Sequence, residues 1–480
     1  MQLVRKTSYL WEIPPDGGMR VPGRIFANDR MIEDIKRDQS FTQVVNVAHL
    51  PGIVGFSWAM PDIHIGYGFP IGGVAATSFD EGGVVSPGGV GYDINCGVRL
   101  FTSKLRIEDV GKRIDRLMRS LFHSIPCGPS PHDTGFGTLS QKDLRRVLEI
   151  GAAYVVENGM GTGSDLEFCE EGGAMSGADP GAVSERAIER GRHQLGSLGS
   201  GNHFLEIGYV NRVFDERAAK VFGMEEGQIT VMIHCGSRGL GHQVCADYLK
   251  TMSSRTHDFR LDLPDRQLAA APLDSEVGRA YLGAMAASAN YAWANRQTLM
   301  VLAERTIADS LGAPVEKLGF RLIYDVCHNI AKIEQHAIDG KSMKLCVHRK
   351  GATRALPPGD ERIPARFRSV GQPVLVPGNM GTASYLLVGS ASGEDHPFYS
   401  SCHGAGRMLS RTAALKKGQG RSLTEELRSR GVTVLAKDRR TLAEEMPEAY
   451  KNVAEVVDVL QDAHITSKVI EIKPIGVIKG

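Results

Sequence analysis

The stretch ITVMIHCGSRGLGHQVCADYLK, residues 229–250, changes its period half-way. It opens on a β-branched apolar run, crosses a glycine turn at 236–239, and continues with apolar residues at helical spacing. That order predicts strand, turn, helix, a context in which a residue at the strand end faces a ligand. Here that residue is His234.

The same texture recurs to either side. QLGSLGSGNHFLEIGYV at 194–210 runs from a glycine-dense loop into a strand, and LIYDVCHN at 322–329 and MKLCVHRKGATRA at 343–355 read as strands. PVLVPGNMGTASYLLVG at 373–389 is strand, glycine turn, strand, and the tail VIEIKPIGVIKG is strand-like. Between 46 and 105 the glycines erase any helical period, so strands of four to six residues joined by glycine turns are expected. Helices are expected near 30–38, 107–123, 140–157, 422–430 and 448–461. The longest helical pattern is 276–310, alanine-rich and packed on both sides. No fixed-period repeat and no biased linker divides the chain, so residues 1–480 read as one large mixed α/β domain.

Composition narrows the function. Lys plus Arg total 56 against 55 Asp plus Glu, a net charge of +1, so any nucleic-acid surface has to be a local patch. Hydrophobic residues at 42% and charged ones at 23% exclude wholesale disorder. Glycine, at 56 residues, is in excess and falls in short runs that look like turns around ligands. The eight cysteines contain no CxxC pair, the start has no signal-like apolar run, and no stretch is long and apolar enough to span a bilayer. A cytoplasmic protein without a membrane partner is expected.

Three histidines, His203 in GSGNHFLEIG, His234 in VMIHCGSRG and His328 in IYDVCHNIAK, adjoin short apolar strands, where an imidazole is held rigidly enough for a metal. GYDINCGVRL adds Asp93 and Cys96, three apart in a glycine-bounded turn; the thiolate could bridge two ions, although a buried small hydrophobe is the plainer reading of a lone cysteine. Carboxylate and imidazole suit Mn²⁺ as well as Zn²⁺, so donor type leaves the metal open. In MPDIHIGYGFPIGG, strand alternation puts Asp62 and His64 on one face, where the carboxylate could fix the tautomer of a ring.

His403 opens HGAG, ahead of a basic stretch. If a helix starts there, its free N–H groups make an anion site, and Arg407 and Arg411, four apart, share one helical face. An imidazole aimed at a phosphate can attack phosphorus. The alternative is an ordinary N-cap and a solvated arginine face. PGNMGTAS at 377–384 offers a second glycine turn, which favours a nucleotide phosphate site. No P-loop, Rossmann fingerprint or G-x-S-x-G elbow stands in a suitable context, and the KxDG motif of lysyl-adenylate ligases is absent.

Taken together, DxHxGYGFPIGG at 62–73, GYDINCGVR, the GSGNHFLE and IHCGSRGLGH blocks, VCHN, CVHRKGATRA, PGNMGTASY and SCHGAGR closely resemble the RtcB-type tRNA-splicing ligases, which join RNA 3′-phosphate or 2′,3′-cyclic phosphate ends to 5′-hydroxyl ends. The resemblance runs through nearly the whole chain. It implies central sheets around a two-metal site, with Asp93, Cys96, His203, His234 and His328 as manganese ligands, Cys96 bridging two Mn²⁺ ions, and His403 as the nucleophile that takes up guanylate from GTP. It further implies that Asn202, Phe204, Glu206, Asn329, Ser384, Tyr450 and Lys479 hold the nucleotide. Pro377, Gly378, Asn379 and Met380, with Gly404, Ala405 and Gly406, would wrap its phosphates, and Glu206 would read guanine N1 and N2. RNA is the implied partner, contacted by Arg190, Arg407, Arg411 and the KSMKLCVHRKGATRA stretch, and the family often works with an archease-type activator. A metallophosphodiesterase using the same ions and a non-catalytic RNA-binding protein are the rival readings.

Overall fold

The computed structural model describes residues 3–128, 136–390 and 396–480. Two large sheets among these residues carry the architecture. The first has seven strands in the order Val4–Arg5, Leu10–Ile13, Gly23–Phe26, Ile53–His64, Ile71–Ser78, Lys341–Lys350, Asn329–Ile338. The second runs Arg321–Cys327, Gly97–Arg106, Gln228–Cys235, Phe204–Val213, Thr466–Lys479, Ser384–Gly389, Pro373–Val376, with Thr433–Ala436 added in parallel beside Thr466–Lys479. The chain passes from the second sheet to the first at a single residue, His328, which lies between the strands Arg321–Cys327 and Asn329–Ile338.

Both faces of the second sheet are apolar, and the period of two sorts them. Phe101, Leu205, Ile207, Val231 and Ile233 pack with Leu299, Met300 and Ile307 of the long helix Glu276–Leu311. Val98, Leu100, Phe204 and Met232 point the other way, into a cluster with Phe222, Phe367 and Leu427. The long helix starts at Ser275, whose side chain accepts from Gly278 N, and stops at Gly312 in left-handed conformation. It is buried on all sides through most of its length, as its alanine-rich sequence predicts.

Most expected elements form. The departures are the helix expected over 140–157, which breaks at Gly151 into Gln141–Ile150 and Ala152–Glu157, and the strands expected at four to six residues between 46 and 105, where Gly97–Arg106 has ten, Ile71–Ser78 eight and Ile53–His64 twelve. Gly55, at φ +70°, sits inside Ile53–His64, where the register shifts against Ile71–Ser78 between Val54 and Trp58. A glycine inside a strand here marks a bulge, which extends the strand instead of ending it. No helix among the described residues is long and apolar enough to cross a membrane.

Candidate active site

Antiparallel register gathers the chemistry at one end of the second sheet. Cys327 pairs with Gly97 and Gly97 with Cys235, while His234 pairs with Phe204 and Phe204 with Lys479. Cys96 and His203 therefore sit just before strands that begin at this end, and His234 and His328 sit where strands finish. Face parity adds Glu206 beside Phe204, since the two share a side of their strand.

Cys96, His234, His328 and Glu206 line a cavity of about 350 Å³ together with Asp93, whereas His203 is not on its wall. Cys96 Sγ lies 3.2 Å from His234 Nε2 and 3.4 Å from His203 Nε2, His234 Nε2 lies 3.2 Å from His328 Nε2, and His203 Nε2 meets Asp93 Oδ2 at 2.7 Å. These form two trios, Cys96–His234–His328 and Asp93–Cys96–His203, each with its donor atoms within 4.8 Å of one another and both sharing the cysteine. The donor chemistry fits divalent cations on either side of a bridging thiolate. Without a cation the arrangement is electrostatically awkward. Burial, then the charge of Asp93, pushes the Cys96 thiol up to about 12, and burial holds His234 and His328 well below the ordinary imidazole range. His203 moves the other way: burial opposes its protonation but is outweighed by Cys235, Asp93 and Cys96. A bound cation deprotonates such a thiol and uses neutral imidazoles as they stand.

Across the cavity stands His403, its ring centroid 4.8 Å from that of His328. Fully buried Asp62 holds it: Asp62 Oδ2 lies 2.6 Å from His403 Nδ1 and accepts from the His403 backbone N–H at 3.1 Å. A carboxylate on Nδ1 fixes the tautomer that leaves Nε2 with its lone pair. Gly406, at φ +74°, lets HGAG lie against this strand, because a Cβ there would stand 2.1 Å from Asp62 O. Lys451 closes the arrangement, its N–H donating to Gly406 O at 2.9 Å and its Nζ to the carbonyls of Pro61 and Ile63.

Comparison with known proteins decides the affiliation. A family model described as "tRNA-splicing ligase RtcB" matches residues 43–480. The chain belongs to the RtcB family. It is 51% identical over 480 residues to the tRNA-splicing ligase RtcB of Archaeoglobus fulgidus, covering 100% of this chain and 99% of that one. It is 51% identical over 471 residues to that of Thermococcus kodakarensis, covering 98% and 97%. The RNA-splicing ligase RtcB of Mycobacterium tuberculosis is 51% identical over 440 residues, 91% of this chain and 100% of that one.

Most residues that the RtcB resemblance singles out do line the cavity. Asn202, Phe204, Glu206, Asn329, Tyr450 and Lys479 are on its wall, and so are Pro377 to Met380 and Gly404 to Gly406. Ser384 is buried behind it, its Oγ accepting from Gly378 N at 3.1 Å, so it braces the PGNMG turn and does not line the cavity. Arg190 is not on the wall; its Nη1 donates to Gln243 at 3.0 Å.

Two expectations need correction. HGAG does not start a helix: residues 403–410 are irregular, Ser410 is the N-cap, and the helix is Arg411–Lys417. Arg407 instead makes a β-bridge to Tyr450 and bonds Glu445 at 3.0 Å, so Arg407 and Arg411 share no helical face, although both line the cavity. The KSMKLCVHRKGATRA stretch is no RNA-facing basic patch at its C-terminal half. Arg349 is fully buried on Glu334, and Arg354 is buried on Glu170 and Glu171. Lys350, also buried, lines the cavity and donates to Tyr67 O; burial lowers its pKa to about 7. Sequence reading missed Lys350 as a cavity residue, along with Glu445, Tyr67 and Tyr92. The last six residues of its strand, 345–350, are all buried without alternation, so period gave no signal for it.

Proposed function

We propose that this chain is a GTP- and Mn²⁺-dependent RNA ligase that joins RNA 2′,3′-cyclic phosphate or 3′-phosphate ends to 5′-hydroxyl ends through a guanylyl-histidine intermediate. The observation that carries the reading is the Asp62–His403 pair facing, across one cavity, two donor trios that share Cys96. The names of the relatives, tRNA-splicing and RNA-splicing ligases, support RNA as the partner, and an archease-type activator is its proposed accessory.

In this scheme His403 Nε2 attacks the α-phosphorus of GTP. An N–P bond forms, the bond to the bridging oxygen breaks, and pyrophosphate leaves. The RNA 3′-phosphate then displaces His403 and takes the guanylate. A 5′-hydroxyl attacks the activated phosphate, making the phosphodiester and releasing GMP. Two Mn²⁺ ions, held by Asp93, Cys96 and His203 and by Cys96, His234 and His328, would supply charge neutralisation at phosphorus. Asp62 keeps Nε2 free and stabilises the positive ring that forms at the first step. Glu206 faces the cavity with Oε1 unpartnered, and burial raises its pKa to about 8. Guanine N1–H and N2–H would donate to the ionised carboxylate and so favour release of its proton to solvent.

The test is incubation with α-labelled GTP and Mn²⁺. A covalent, acid-labile protein–GMP adduct is expected, which an RNA 3′-phosphate should discharge. Hydrolysis of cyclic phosphate ends with no adduct would identify a phosphodiesterase instead.

A further inference from the structure

The long helix Glu276–Leu311 contributes nothing to the cavity wall, yet it carries a fully buried arginine whose every N–H has an acceptor. Arg296 Nη1 donates to the carbonyls of Asn95 and Cys235, both at 2.8 Å. Nη2 donates to Asn95 Oδ1 at 3.0 Å and Asp325 Oδ1 at 2.7 Å, and Nε to Asp325 Oδ2 at 2.9 Å. These acceptors lie on three separate segments. Asn95 precedes Cys96, Cys235 follows His234, and Asp325 lies in the strand Arg321–Cys327, three residues before His328.

Two further details show how closely the helix is fitted here. Asn95 adopts a left-handed backbone, φ +50°, and its Nδ2 donates to Ala289 O of the same helix at 2.8 Å. A Cβ on Gly97 would stand 3.0 Å from Arg296 Cζ and 2.3 Å from Val326 O, so the strand after Cys96 passes the guanidinium with no room for a side chain. We propose that Arg296 is a positioning residue for the cation-binding cluster, its planar fork fixing the spacing of the segments that bear Cys96, His234 and His328. The inference rests on the reading of those three residues as ligands. A lysine cannot replace the fork, because an ammonium offers three donors on one atom and cannot span acceptors on a turn and two strands.

The full chain, stripped of metal and titrated with Co²⁺ alone, tests this through binding affinity and the thiolate-to-cobalt absorption. Arg349→Lys serves as the matched control, since Arg349 is also fully buried in an ion pair but bonds none of these segments. Arg296→Lys should bind Co²⁺ about 10- to 100-fold more weakly with a diminished thiolate band, while Arg349→Lys keeps wild-type affinity even if its Tm falls as far. Asn95→Gly, which retains the left-handed backbone and removes one acceptor of Arg296 together with the bond to Ala289 O, should show a smaller loss and decides the matter if Arg296→Lys does not fold. Wild-type affinity in Arg296→Lys, or in Asn95→Gly when that variant alone folds, would overturn the inference. So would an equal loss in Arg349→Lys. Failure of the wild-type chain to bind Co²⁺ would instead remove the ligand reading, and this inference with it.

Discussion

The two walls of the cavity are held by different forces. The Cys96 wall is a set of strand ends, placed by ladder register and backed by a helix, so each side chain inherits its position from many backbone hydrogen bonds. The His403 wall is irregular chain, held by side chains from far away: Asp62 on the His403 ring, Lys451 on the strand bearing Asp62, and Glu445 on Arg407. Losing one side chain on the first wall should alter what binds there and leave the frame standing. On the second wall it should disturb geometry as well.

His403→Ala is the sharpest separation of the two. It should abolish the labelled GMP adduct while Mn²⁺ binding, followed by calorimetry, stays within a fewfold of wild type. Asp62→Asn keeps a similar shape but removes the charge on Nδ1. Adduct formation should slow by about a hundredfold or more, again with metal affinity preserved; an unchanged rate would show that the second wall does not depend on its distant carboxylate.

On the first wall, Cys96→Ser puts a neutral hydroxyl where the proposed bridging thiolate stands, at the one residue the two donor trios share. Metal stoichiometry by elemental analysis should fall below two and affinity drop by at least tenfold, with far-ultraviolet circular dichroism unchanged. Glu206→Ala should lower adduct formation with GTP by roughly 30-fold or more and narrow the GTP-to-ATP ratio, measured with each labelled triphosphate.

The smallest effect concerns pH. Burial lifts the Glu206 pKa to about 8, against 4.5 ordinarily. The folded, ligand-free chain therefore keeps a proton that the unfolded chain has lost, and the stability this contributes is complete below pH 4.5 and gone once pH passes 8. Glu206→Gln, neutral throughout, should match wild type in Tm at pH 4 and exceed it by roughly 2–4 °C at pH 9.

The sequence by itself determined the strand, turn and helix alternation, the buried helix 276–310, and the identity of the donor residues, because each depends on local period or on residue chemistry. His203, His234 and His328 could be picked out because each adjoins a short apolar strand, and a strand end is a local feature. What only the tertiary structure decided was the pairing. Asp62 meets His403 across 341 positions, and the arginines of 343–355 turn inward to carboxylates on other elements. HGAG ends as irregular chain because Gly406 and Ser410 fit a neighbouring strand and a later N-cap. Charge and small-residue patterns read the same whether a side chain faces solvent or a buried partner, and only packing selects between them.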